Sequence, residues 1–213
     1  MANATIENKL KLLLVVLALF TGMPWHCFAG CLDPSPTVVG GDDPYAAIAS
    51  RDLTPAERDT IKALFTSLDG EWRGSAHDLY CRGLKDPDDN RRYADTVKAD
   101  VAVDHTGNFY LRMSLYSPQK RSTRQEILRF YLIGKRLRVN SPSTAGDVEL
   151  IDVQTNRLAF LYRLLLQSDT SKGSIRKEIF IALETGDNTF SVEQQIYSQG
   201  RLSAEKIWRL SRR

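Results

Sequence analysis

From Trp72 to Leu210 apolar residues recur at every second position, and the gaps between these runs are short. A period of two marks a strand with one buried face. Parallel neighbours need a crossover of about a dozen or more residues, usually a helix, and no gap here offers one. Consecutive runs therefore pair antiparallel. Ala99, Val101 and Val103 share a face, with Lys98, Asp100 and Asp104 on the other. After His105-Thr106-Gly107-Asn108, Phe109, Leu111, Met113 and Leu115 continue the pattern, as do Leu128, Phe130 and Leu132. Gly134-Lys135, Gly186-Asp187-Asn188 and Gln199-Gly200 read as turns, and the last run places Leu202, Ala204, Trp208 and Leu210 on one face. An open sheet of this size exposes two edges, which closure removes. The expected fold is mainly β: a single antiparallel meander β-barrel of about eight to ten strands, with one N-terminal α-helix.

That helix is expected over residues 54–68. Thr54 suits the cap, Pro55 the first position and Glu57 the capping box, while Ile61, Leu64, Phe65 and Leu68 form an apolar stripe ended by Asp69-Gly70. Upstream, Lys9 and Lys11 precede an apolar run from Leu12 to Phe20, and Ala29 and Gly30 form a small-residue exit. This is the layout of a secretory signal peptide over residues 1–30, because Thr21, Gly22 and Pro24 cut the run well short of the roughly 20 residues that span a bilayer. Residues 31–52, carrying Pro34, Pro36, Pro44, Gly40 and Gly41, read as a flexible tether, and residues 53–213 as the barrel domain.

Two maturation routes stay open. Cleavage after Ala29 leaves Cys31 and Cys81 as a pair that an oxidising compartment would bridge. Alternatively, Phe28-Ala29-Gly30-Cys31 resembles a bacterial lipoprotein box, with Cys31 acylated and Cys81 a free thiol. Cys27 and Phe28 fit that box poorly, which favours the disulfide. The expected location is the periplasm, with membrane contact only through a lipid anchor at Cys31. The net charge of +3 includes Lys9 and Lys11, offset by Glu7. The basic residues are dispersed among acids, which excludes the basic stripe that nucleic-acid binding needs.

Leu68-Asp69-Gly70-Glu71-Trp72 is where the helical period gives way to the strand period. This step resembles the start of a lipocalin-like (calycin-type) barrel, in which a glycine-x-tryptophan step opens the first strand. The resemblance implies that Trp72 packs at the barrel floor beneath an arginine from a late strand, for which Arg209 is the candidate. It also implies a non-enzymatic protein of the bacterial envelope that binds a small apolar or amphipathic ligand. The candidate lining residues are Trp72, Phe109, Leu111, Met113, Phe130, Tyr162 and Ile181. A filled barrel that binds another envelope protein is the alternative, and an exported hydrolase or isomerase the second.

Signals for catalysis are weak. His77 lies four residues before Cys81, on the same side of a strand, but no third group completes a nucleophile or metal set. Ser75 lacks the elbow of serine hydrolases. Asp86 to Asn90 alternates oxygens as a calcium loop does, yet Arg91 stands where glycine is needed. No catalytic residue, cofactor or metal ligand is therefore assigned. The runs 157–167 and 174–183 are apolar on one face and partly apolar on the other; the leading helix would cover the Leu161 and Leu165 face, or that face would meet a membrane or partner.

Overall fold

The computed structural model describes residues 31, 50–81, 90–141, 144–167 and 174–212. The expected signal peptide, most of the expected tether and most of the Asp86–Asn90 segment lie outside the described residues. One helix, α1 (Pro55–Ser67), precedes eleven strands: β1 (Gly70–Tyr80), β2 (Arg91–Val103), β3 (Phe109–Ser117), β4 (Ser122–Ile133), β5 (Arg136–Ser141), β6 (Thr144–Asp147), β7 (Glu149–Gln154), β8 (Arg157–Gln167), β9 (Ser174–Gly186), β10 (Thr189–Ser198) and β11 (Arg201–Ser211). Every ladder is antiparallel, and all strands belong to one sheet in the order β6-β5-β4-β3-β2-β1-β11-β10-β9-β8-β7.

The order shows how the sheet curls. Its edges, β6 and β7, are consecutive in the chain and joined by Val148 alone. One residue spans only about 3.5 Å. The edges must therefore meet at that end, and the meander bends into a curled half-barrel. No ladder joins β6 to β7 among the described residues, so hydrogen bonding does not complete the circle. The count reaches eleven because residues 136–154 divide into three short strands. Thr144-Ala145-Gly146-Asp147, the shortest, carries no period-two signal.

Helix α1 forms as its sequence dictates. The Thr54 side chain accepts from the Glu57 N–H at 3.2 Å, and Glu57 accepts from the Thr54 N–H at 2.9 Å, which closes the capping box. Hydrogen bonds from Arg51 and from the Thr54 backbone hold the Glu57 carboxyl at about 2. The apolar stripe is fully used, with Ile61, Leu64, Phe65 and Leu68 all buried. Phe65 meets Phe109 and Phe130 at ring distances of 4.8 and 6.0 Å, so the helix fills the concave face. This corrects the expectation that it covers the Leu161 face, for Leu161 points away from Phe160 and Tyr162, which lie in the core with Phe65. The helix stripe is matched to the inner surface, where Phe109, Phe130 and Phe160 converge from β3, β4 and β8.

Gly70 turns the chain from helix to strand at φ +118°, a conformation cheap only for glycine. Trp72 then points inward, is buried, and donates its indole N–H to the Leu68 carbonyl at 2.7 Å. Phe190 meets it edge-on at 4.6 Å. The arginine over its ring is Arg212, at 4.6 Å, and not Arg209. Strand alternation explains the correction: Trp208 and Leu210 face inward, so Arg209 between them is exposed. Arg212, just past β11, is released from that alternation. Its guanidinium donates to Ser67 O at 2.9 Å and Asp69 O at 2.7 Å, satisfying carbonyls at the helix C-terminus.

Candidate functional site

The concave face changes character along its length. At the α1 end it is apolar, and all seven candidate lining residues fall there or at its border. Trp72, Phe109, Leu111, Met113, Phe130, Tyr162 and Ile181 are 0–5% exposed and belong to one core cluster. Phe109 stacks on Phe130 at 5.4 Å, and Phe130 meets Phe160 edge-on at 5.3 Å. These side chains pack against one another and against Phe65.

At the other end the same inward-facing phase turns charged. Trp72 and Asp78 lie six residues apart on β1, about 20 Å at the rise of a strand. Inward positions there carry Asp78 on β1, Asp95 on β2, Ser117 on β3, Arg124 and Glu126 on β4, Gln194 on β10 and Lys206 on β11. Register makes them neighbours: Gln194 pairs with Lys206 and Lys206 with Asp78, while Asp95 stands opposite Ala76. Thr96 pairs with Tyr116, which places Ser117 beside Asp95. Tyr162, whose hydroxyl is bonded to Gln194 and pushed up to about 12 by burial, borders this belt.

The belt is a network around Arg124. Its Nη2 donates to Asp78 Oδ2 at 2.6 Å and lies 3.1 Å from Asp95 Oδ2, and its Nε donates to Glu126 Oε1 at 3.1 Å. Lys206 Nζ donates to both Glu126 oxygens at 3.0 Å. Tyr80 donates to Asp78 Oδ2 at 3.2 Å. Burial raises the Asp78 carboxyl despite the opposing fields of Lys206 and Arg124, and burial, with Asp78 adding to it, lifts the Tyr80 hydroxyl to about 12. Satisfaction is incomplete. Asp78 Oδ1, both Asp95 oxygens and Ser117 Oγ make no hydrogen bond, the Arg124–Asp95 approach being an ion pair without hydrogen-bond alignment. A buried polar group left unpaired costs about 1–3 kcal/mol, and more when charged. Native interiors carry few, so four on one floor single it out as a candidate site.

None of the belt's residues was singled out by sequence reasoning. A signal existed all the same. Asp78 continues the phase of Trp72, Asp95 that of Val97, Ser117 that of Leu115, Arg124 and Glu126 that of Leu128, and Lys206 that of Trp208. Charges that keep the apolar phase are on the inner face by the same rule that puts the apolar residues there.

The other sequence candidates are dispersed. Cys81, just beyond β1, is bonded to Cys31 with Cα atoms 5.5 Å apart, so its thiol is consumed and offers His77 no nucleophile. His77 is exposed on the outer face, paired with Ala94 and Ile207. His105 sits in the β2–β3 turn beside an open groove of about 630 Å3 between α1 and that turn. Asp104 organises this turn: burial would raise its carboxyl, but hydrogen bonds from Thr106 and Asn108 hold it well below the usual range. A second groove, about 640 Å3, lies on the outer face between Glu184, Glu193, Glu205 and Arg209, on the opposite side of the sheet from the charged belt. The belt, by contrast, keeps buried acceptor atoms on Asp78, Asp95 and Ser117 without hydrogen bonds, which makes it the stronger candidate. Among the described residues no helix is long and apolar enough to cross a membrane, and no three His, Cys, Asp or Glu side chains are grouped to hold a metal ion.

No protein-family model and no curated protein matches the chain. Among solved structures it is similar to a protein of unknown function of the DUF3598 family from Nostoc punctiforme, with 15% identity and a TM-score of 0.45 over 80% of this chain and 53% of that one. The chain spans about half the length of that protein.

Proposed function

We propose that this chain is an exported, non-enzymatic binding protein that takes a small amphipathic molecule at the charged end of a lipocalin-like curled sheet. The observation that carries the reading is the set of buried, unpaired polar atoms on Asp78, Asp95 and Ser117. Ligand sites are concave, with a few convergent polar groups that fix orientation. The plugged end supports the lipocalin-like plan, since Trp72 sits on the floor beneath Arg212. The apolar end is filled by α1, so the ligand's polar group meets the belt and its apolar part faces outward toward the mouth.

Export is supported from two sides. The Lys9–Phe20–Gly30 layout is that of a signal peptide, and a Cys31–Cys81 bond belongs in an oxidising compartment such as the periplasm. The bond occupies the sulfur that a lipid would need, which favours plain cleavage after Ala29 over anchoring. Calorimetric titration of the mature protein with octylamine, octanol and octanoate tests the binding reading. Saturable one-to-one binding of at least one is expected. Silence of all three overturns it in favour of the second reading, a filled barrel that docks an envelope protein, which the packed apolar end favours.

A further inference from the structure

The unpaired atoms of the belt specify more than a site. Asp78 Oδ1, Asp95 Oδ1 and Ser117 Oγ all accept hydrogen bonds, and they stand on three successive strands, β1, β2 and β3. The two carboxylate side chains are 1% and 2% exposed, so bulk water does not satisfy them. Charge is unbalanced in the same sense. Asp78, Asp95 and Glu126 face only Arg124 and Lys206 in this network, three acids against two bases. Both bases are already committed, Arg124 to Asp78, Asp95 and Glu126, and Lys206 to Glu126.

We propose that this floor binds a primary ammonium group carried by a small amphipathic molecule, an inference that rests on the binding reading above. An ammonium brings one positive charge and three N–H donors on one atom. It meets the excess negative charge and the three acceptors together. A hydroxyl brings one donor and no charge, and leaves acceptors stranded. A carboxylate or phosphate brings further acceptors to a floor whose cations are taken. The indole N–H of Trp208, opposite Ala76 on β11, is also buried without an acceptor. An oxygen close to the ammonium in the ligand would complete it.

The test is calorimetric titration of the disulfide-bonded mature protein with the same three amphiphiles, repeated on Asp95→Asn and Ser117→Ala. Octylamine is expected to bind one-to-one and at least about tenfold more tightly than octanol. Asp95→Asn weakens octylamine by at least about tenfold and leaves octanol unchanged, while Ser117→Ala weakens it by about three- to tenfold. Should Asp95→Asn fail to fold, Ser117→Ala carries the test alone. Equal affinity for octanol and octylamine, tightest binding of octanoate, or undiminished octylamine binding by folded variants each overturns the ammonium assignment while the binding reading stands. A structure at saturating octylamine in which ordered water alone meets Asp78, Asp95 and Ser117 overturns it too. No binding of any of the three removes the binding reading itself.

Discussion

The two ends of the concave face are built from the same strands in the same phase, yet they are finished differently. At the α1 end the polar groups beside the core are answered. Trp72 bonds to Leu68, Arg212 bonds to Ser67 and Asp69, and Phe65 fills the space between Phe109 and Phe130. At the far end Arg124 and Lys206 leave buried acceptors on Asp78, Asp95 and Ser117 unanswered. A fold selected for stability alone would place apolar residues there, because replacing buried ion pairs by packed hydrophobic groups is often neutral or stabilising. The difference separates an end that holds the protein together from an end that the proposed ligand would complete.

The contrast breaks first at Trp72. Truncating a buried aromatic costs about 3–5 kcal/mol, and here the Arg212 stack and the Leu68 hydrogen bond go with it. Trp72→Ala is expected to lower the unfolding free energy by about that amount in urea titration. An unchanged midpoint would mean that the plugged end does not carry stability.

Reduction of Cys31–Cys81 comes next in size. The bond closes a loop of 50 residues in sequence separation, and loop entropy assigns such a cross-link roughly 2–4 kcal/mol. The Cys31→Ser, Cys81→Ser double variant should unfold at correspondingly lower urea, with Trp72 still buried. Thiol counting on denatured, unreduced protein from its native compartment should find none free between these two residues. A free thiol with a lipid mass at the N-terminus would contradict the bridged form.

Asp78→Asn is smaller and opposite in sign. Burial raises the folded carboxyl above its ordinary value. A raised carboxyl contributes stability that is complete below the unfolded pKa of about 3.9 and is lost as pH rises through the folded value. At neutral pH the wild type therefore carries the cost of an ionised buried acid. The amide of the variant keeps an oxygen for Arg124 without that charge, so a gain of order 1 kcal/mol at pH 7 is expected. The gain should be smaller at about pH 4, closer to where the wild-type group takes up its proton. Unfolding curves at the two pH values check it; a large loss at pH 7 would place Asp78 among the groups that hold the fold.

Much of the plugged end could be read before any coordinates. The capping box at Thr54 and Glu57, the stripe ending at Leu68, the Gly70 switch and the inward phase of Trp72, Phe109 and Phe130 are local patterns, and local sterics enforce them. Pairing of Cys31 with Cys81 was one of two routes the cysteine count left open, favoured because Cys27 and Phe28 fit the lipid box poorly, and the structure shows that bond. What escaped was non-local or non-periodic. Arg212 replaces Arg209 over Trp72 because a side chain beyond the strand end is free of the alternation that turns Arg209 outward. Strand β6 forms on Thr144–Asp147 because β5 supplies a partner edge. The charged belt escaped because charged residues on a strand are ordinarily on its wet face, and only their phase relative to Val97, Leu115 and Trp208 says otherwise.

Urea unfolding of Asp95→Asn at pH 7 tests most directly whether the far end is a site or a strut. Asp95 is as buried as Asp78, but its oxygens make no hydrogen bond, and Arg124 keeps Asp78 and Glu126 without it. The expected result is an unfolding free energy equal to that of the wild type or up to about 1 kcal/mol higher. A loss of about 3 kcal/mol or more, the size seen when a buried ion pair that matters to the fold is broken, would contradict the account.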